Sequence, residues 1–165
     1  MTTLVNGQAG MHLPIADRGL QYGDGLFETL ALRNGEPLLW DRHVQRLGEG
    51  CRRLGLPAPE ANLLREEVAR IAGAEARAVA KIILTRGTVG RGYWADIGSA
   101  TTCIVQRLPW PAYPGAAGKE GVAVRWCETR LARQPRLAGM KHLNRLEQVL
   151  ARAEWQEDYA EGLMR

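Results

Sequence analysis

Lysine is scarce in this chain. Of 22 basic residues only Lys81, Lys119 and Lys141 are lysines, so any amine chemistry has three candidates. Cysteine is scarcer in effect. Cys51, Cys103 and Cys127 are an odd number, widely spaced and without a CxxC, which argues against a zinc ribbon or a disulfide framework and for reduced thiols in a cytoplasm. His12, His43 and His142 have no metal-ligand spacing, and no HExxH is present. There is no GxSxG for a serine hydrolase, no Walker A lysine loop and no GxGxxG dinucleotide fingerprint. No apolar run approaches a membrane span, and the opening MTTLVNGQAG lacks a basic region followed by an apolar stretch. Repeats and low-complexity segments are missing as well. What remains is an ordinary globular composition: 165 residues, 45% hydrophobic, 24% charged, net charge +4. That charge is modest and spread along the chain. The arginines near Tyr93, Trp94, Trp110 and Tyr113 come with no nucleic-acid module, which argues against a nucleic-acid partner.

The pattern along the chain predicts an α+β fold. Leu4 and Val5 suggest a short strand ended by Asn6-Gly7, with Met11 to Ile15 as its returning partner. DRGLQYGDG reads as a glycine-rich loop whose backbone needs positive φ or close approach. Leu26 to Arg33 follows as a strand, and Asn34-Gly35 is a strong hairpin signal with Glu36 to Trp40 returning. Asp41 is placed to cap a helix with the stripe Val44, Leu47, Cys51 and Leu54, ended by Gly55; His43, Arg46 and Arg53 fall on other faces. A second helix is expected from Glu60 to Ala72, with Leu63, Leu64, Val68 and Ile71 inward. Val79 to Thr85 reads as a central strand, and another is expected around Thr101 to Arg107. These elements make an N-terminal domain over 1–108. A Pro/Gly-rich linker over 109–120 leads to a second unit over 121–165, with a strand from Val122 to Trp126, a helix, and the opening of a strand at Tyr159 to Met164.

Chemistry concentrates in two places. RGTVGRGY is a glycine loop carrying Arg86 and Arg91, arginines suited to bidentate grip on carboxylates, with Tyr93 and Trp94 as aromatic walls; its plain alternative is a surface turn. Lys141 follows a Pro/Gly loop at the predicted mouth of a helix whose stripe is Leu143, Leu146, Leu150 and Ala153. A helix N-terminus disfavours an ammonium, which suits a lysine that must be neutral to form a Schiff base. A solvated surface lysine is the ordinary reading of the same position. Asp17, Asp24 and Glu28 offer carboxylates for a cation, or for caps and turns.

DRGLQYGDGLFET, WDRHVQRL, RGTVGRGY and LAGMKHLNRLEQVLAR, in that order and spanning nearly the whole chain, resemble the fold-type IV pyridoxal-phosphate enzymes. That family holds the branched-chain and D-amino-acid aminotransferases and the aminodeoxychorismate lyases, and the last two motifs are most similar to the lyase branch. The resemblance implies that Lys141 forms the Schiff base with pyridoxal 5'-phosphate and that Arg46 binds the cofactor phosphate. It implies a 4-amino-4-deoxychorismate substrate, 4-aminobenzoate and pyruvate as products in folate precursor synthesis, and a homodimer. Asn144 lies in the lysine motif and is assigned to the substrate side. Arg91 and Tyr93 are assigned to substrate from the chemistry of their loop. Arg145 stands where branched-chain relatives carry tyrosine, which argues against that branch. Full-length relatives continue for roughly another hundred residues. The expected architecture is therefore a complete small N-terminal domain and the truncated start of the larger C-terminal, cofactor-binding domain. Such a chain alone is expected to bind the cofactor poorly or not at all, and the alternatives to the lyase are a D-amino-acid or branched-chain-type aminotransferase and a non-catalytic truncated fragment.

Overall fold

In the computed structural model, residues 2–90, 92–95, 98, 100–112, 117–156 and 158–165 are described. They form two compact units, Met1–Trp110 with Gly139–Asn144, and Pro111–Ala138 with Arg145–Arg165.

The first unit is built on the strand with the most β-branched and aliphatic residues. That strand, β5 (Arg77–Thr85), lies between β3 (Gly25–Arg33) and β6 (Thr102–Pro109) in a six-stranded antiparallel sheet. β1 (Thr3–Val5) continues it beyond β6, with β2 (Gln8–Ala9) outside β1, and β4 (Glu36–Pro37) pairs with the end of β3. Alternation puts Leu26, Leu30, Leu32, Ala80, Ile82, Leu84 and Val105 on one buried face. Helix α2 (Trp40–Leu54) packs on β3 and helix α3 (Ala61–Ile71) on β6 and β1, closing the core with Leu47, Cys51, Leu64, Val68 and Ile71. Burial pushes the Cys51 thiol up to about 11 and the Cys103 thiol to about 12, so neither is a nucleophile at neutral pH.

Several local expectations change. The partner of β1 is Gln8–Ala9, because Asn6-Gly7 makes a tight two-residue turn. Met11 and Ile15 are exposed and lie in no strand. β4 stops at Pro37, since Leu39 takes the left-handed conformation (φ 55) and starts α2 at Trp40. Asp41 is therefore inside the first turn rather than at the cap, where it still complements the helix dipole. Leu63 is exposed on α3. A short helix, α1 (Arg18–Tyr22), occupies the stretch expected to be loop. Asp17 caps it by accepting from Gly19 N at 2.8 Å, and Gly23 ends it at φ 66.

In the second unit β7 (Val124–Trp126) and β8 (Glu161–Leu163) pair in parallel. Helices α4 (Ala117–Glu120) and α5 (Leu146–Arg152) complete its regular elements among the described residues. Glu154 ties it together, accepting from the backbone N–H of Glu128 and Thr129, each at 2.8 Å, with Arg125 beside it. Those hydrogen bonds, Thr129's first, hold its carboxyl below the usual range. Ala151 and Trp155 are buried, whereas Leu146, Val149 and Leu150 are exposed. The apolar stripe expected to pack this helix is thus on the surface. No helix among the described residues is long and apolar enough to cross a membrane.

Candidate active site

Successive residues of a pleated strand face opposite ways, and β3 uses both faces. One edge of β3 is taken by β5 along its whole length. The other edge receives two partners: β4 at Leu32 and Arg33, and residues 141–143 at the opposite end. Phe27 N donates to Lys141 O at 2.8 Å, Leu143 N donates to Gly25 O at 3.0 Å, and Leu26 and His142 form an antiparallel bridge. A glycine is needed at position 25 for this approach. A Cβ there would lie 2.3 Å from Leu84 O and 2.8 Å from Leu143 Cδ1.

Lys141 therefore lies in a short irregular segment bridged to the edge of β3, and is not the first residue of a helix. α5 begins only at Leu146, so the amine owes nothing to a helix N-terminus. Its backbone is pinned at Phe27, and its Nζ stands 4.3 Å from the centroid of the Phe27 ring. Lys81 Nζ lies 5.7 Å from the same centroid.

Glu28, the next residue of β3, faces the buried side. Arg46 donates to it through Nε at 2.7 Å and Nη2 at 2.6 Å, a bidentate clamp, and His43 Nδ1 lies 2.7 Å from Oε2. His43 and Arg46 are three apart on α2 and so share a face, which is turned toward β3. The expectation that they lie away from the packed surface is corrected for that reason. The hydrogen bonds to Glu28 raise the guanidinium pKa of Arg46 further, and its side chain remains 45% exposed.

The GDG segment is held by a second carboxylate. Asp24 accepts from Arg18 Nε at 2.9 Å and from Arg86 Nε at 2.8 Å. Burial would raise its carboxyl, but the hydrogen bonds and charges of Arg86 and Arg18 outweigh burial and hold it below the ordinary range. Arg86 also donates to the carbonyls of Leu54 and Gly55 at the end of α2. Buried and fully engaged there, Arg86 ties the fold together and does not grip a ligand, contrary to the expectation from its loop. Arg18 reaches further, donating to the carbonyls of Gly92 and Tyr93 at 2.7 and 3.2 Å. Tyr93 itself is 90% exposed and meets Tyr22 edge-on. Arg91 lies outside the described residues. Asn144 donates from Nδ2 to Gly23 O at 3.1 Å, joining the lysine segment to the GDG loop a second time. Asp17, Asp24 and Glu28 all serve as caps or ion-pair partners, and no cluster that could hold a metal occurs among the described residues.

The structure thus ties Lys141 and Arg46 to successive residues of one strand, Phe27 and Glu28, whose side chains point to opposite faces of the sheet. A primary amine and an oriented guanidinium suit a ligand that is both a carbonyl and an anion. Arg18 was not singled out by sequence reasoning, and Asp24 and Glu28 were read only as carboxylates for a cation or for caps and turns. Glu28 carried a signal: it is the one acid among Leu26, Leu30 and Leu32 at alternate positions.

Known proteins resemble this chain along most of its length. The family model described as "Amino-transferase class IV" matches residues 25–164. An aminodeoxychorismate lyase of Vibrio harveyi is 38% identical over 150 residues, covering 91% of this chain and 55% of that protein. A bifunctional aminodeoxychorismate lyase / D-amino acid transaminase of Mycobacterium tuberculosis is 36% identical over 122 residues, 70% of this chain and 40% of that protein. The crystal structure of 4-amino-4-deoxychorismate lyase from Pseudomonas aeruginosa superposes with a TM-score of 0.91 at 52% identity, covering 98% of this chain and 60% of that one. The Escherichia coli branched-chain aminotransferase shares the fold at a TM-score of 0.80 and 23% identity, covering 99% of this chain and 59% of that one. The chain spans 40% to 60% of the length of these lyases.

Proposed function

The chain belongs to the class IV aminotransferase family, and from that premise we propose that it carries the amine and phosphate half of a pyridoxal-phosphate lyase. That enzyme splits 4-amino-4-deoxychorismate into 4-aminobenzoate and pyruvate. One observation carries the reading: Lys141 and Arg46 are both anchored on β3, at Phe27 and Glu28. This donor set fits the cofactor, with a primary amine for its aldehyde and an arginine for its phosphate. When bound, pyridoxal phosphate supplies an electron sink for the carbanion formed at the amine-bearing carbon of the substrate.

Every other step falls to the chain's own residues. Lys141 Nζ, as a neutral amine, takes the proton from the substrate's amine-bearing carbon. Loss of the enolpyruvyl oxygen then makes the ring aromatic, and protonation of the released fragment gives pyruvate. Arg46 orients the phosphate. Asn144 secures the GDG loop through Gly23 and keeps its carbonyl oxygen for the substrate. Arg91 and Tyr93 hold substrate carboxylate from the glycine loop, and Arg91→Ala should lower kcat/KM by at least about tenfold, the loss of one charge-assisted contact. The same reading makes the enzyme a cytoplasmic homodimer. Three free cysteines and the exposed Trp126, Leu146 and Leu150 support it, and gel filtration tests the dimer.

The experiment that decides the reaction is release of 4-aminobenzoate with no keto acid present. Release supports the lyase. Amine transfer that requires a keto acid, without 4-aminobenzoate, would instead establish the transaminase reading, which the bifunctional mycobacterial relative makes the second choice.

A further inference from the structure

Glu28 is the exception in its own strand. The inward positions of β3 are Leu26, Glu28, Leu30 and Leu32, and all four are buried, Glu28 at 1% exposure. A wholly buried carboxylate is costly unless fully paired, and a fourth leucine would fill this place at no such cost. Glu28 is fully engaged: Arg46 Nε and Nη2 and His43 Nδ1 converge on its two oxygens at 2.6–2.7 Å. The carboxylate is rigidly sited, because β3 is paired to β5 on one side and to residues 141–143 on the other. Arg46, by contrast, is a long side chain that is 45% exposed and would otherwise sample many rotamers.

We propose that Glu28 is a positioning residue: its bidentate clamp, braced by His43, fixes the plane of the Arg46 guanidinium and presents the remaining N–H donors to the cofactor phosphate. The inference rests on the reading above that Arg46 meets that phosphate. Glu28 takes Nε and one edge of Nη2, and guanidinium has further N–H groups on Nη1 and Nη2 for a second anion. Orientation paid in advance by the fold is affinity for the phosphate, and none for a ligand lacking it. A role confined to stability would show no such selectivity.

The test compares pyridoxal phosphate with pyridoxal, the same aldehyde without phosphate. The full chain is incubated with each at a molar excess large enough to load the weak site expected of it, reduced with borohydride, and the label at Lys141 is quantified by peptide mass spectrometry against Lys81 and Lys119. In the unaltered chain Lys141 should prefer the phosphorylated aldehyde. Glu28→Gln should cut that preference by at least about tenfold, the worth of one charge-assisted contact, while pyridoxal labelling holds. Arg46→Ala should cut it as far. An unchanged preference in Glu28→Gln overturns the positioning role while leaving the Lys141 and Arg46 assignments intact. An unchanged preference in Arg46→Ala, or no label at Lys141 in the unaltered chain, overturns the functional reading itself and the positioning role with it. If Glu28→Gln also loses pyridoxal labelling, it has lost the fold, and Glu28→Asp decides. That variant keeps the charge but withdraws it by one methylene. It should lower the preference severalfold, and a preference equal to the unaltered chain's overturns the proposal.

Discussion

The two units of this chain handle similar apolar patterns in different ways. In the first, alternating residues of β3, β5 and β6 meet the stripes of α2 and α3, and Leu30, Ala80, Leu84, Val68 and Val105 have essentially no exposure. In the second, α5 carries Leu146, Val149 and Leu150 at helical spacing, and each is more than half exposed. Periodicity states which residues want cover. Whether cover exists depends on how many elements surround them, and β7, β8 and α5 leave the stripe uncovered among the described residues. The first unit therefore holds most of the chain's stabilising burial, together with both residues proposed to meet the cofactor.

That contrast can be broken by substitution, and the largest effect is expected where charge is buried in the first unit. Asp24→Asn leaves Arg18 and Arg86 facing each other without their carboxylate and should destabilise by about 3–5 kcal/mol in urea melts. Because the folded carboxyl of Asp24 is held low, its contribution is present above the unfolded pKa, about 4, and is lost as pH falls through the lower folded value. Asp24→Asn should accordingly flatten the acid limb of a stability profile between about pH 5 and 2. Leu30→Ala, which opens a cavity between β3 and its helices, should cost about 2–5 kcal/mol in the same melts. Leu150→Ala, a substitution of the same chemistry in the second unit, should change stability by no more than about 0.5 kcal/mol. Comparable losses at Leu30 and Leu150 would remove the distinction between the units.

Much of the first unit was legible in the sequence because its signals are local. The Asn34-Gly35 hairpin, the Gly55 stop of α2 and the β-branched run of β5 all sit where pattern and turn chemistry place them. Helix α1 was not read, since the glycines of RGLQYGDG hid it, although Asp17 as cap and Gly23 as left-handed stop were present as signals. The lysine segment shows a different failure. Leu143, Leu146 and Leu150 share a helical period, yet residues 141–143 are not helical, because the open edge of β3 offers them backbone partners far away in sequence. No local pattern reports an edge that another part of the chain will fill. The proposed site was named in the sequence as single residues, Lys141 and Arg46, but β3, to which the structure ties both, was not part of that reading. Glu28 was seen only as one loose acid among three.

The central claim is that Lys141 belongs to the first unit because its backbone completes the edge of β3. Native-state hydrogen exchange tests it without any ligand. The amides of Phe27 and Leu143, which donate to Lys141 O and Gly25 O, should be protected like those of β5 and far more slowly exchanging than those of α5. Exchange of Phe27 and Leu143 as fast as α5 would mean that the lysine is not held on β3, and would contradict the account.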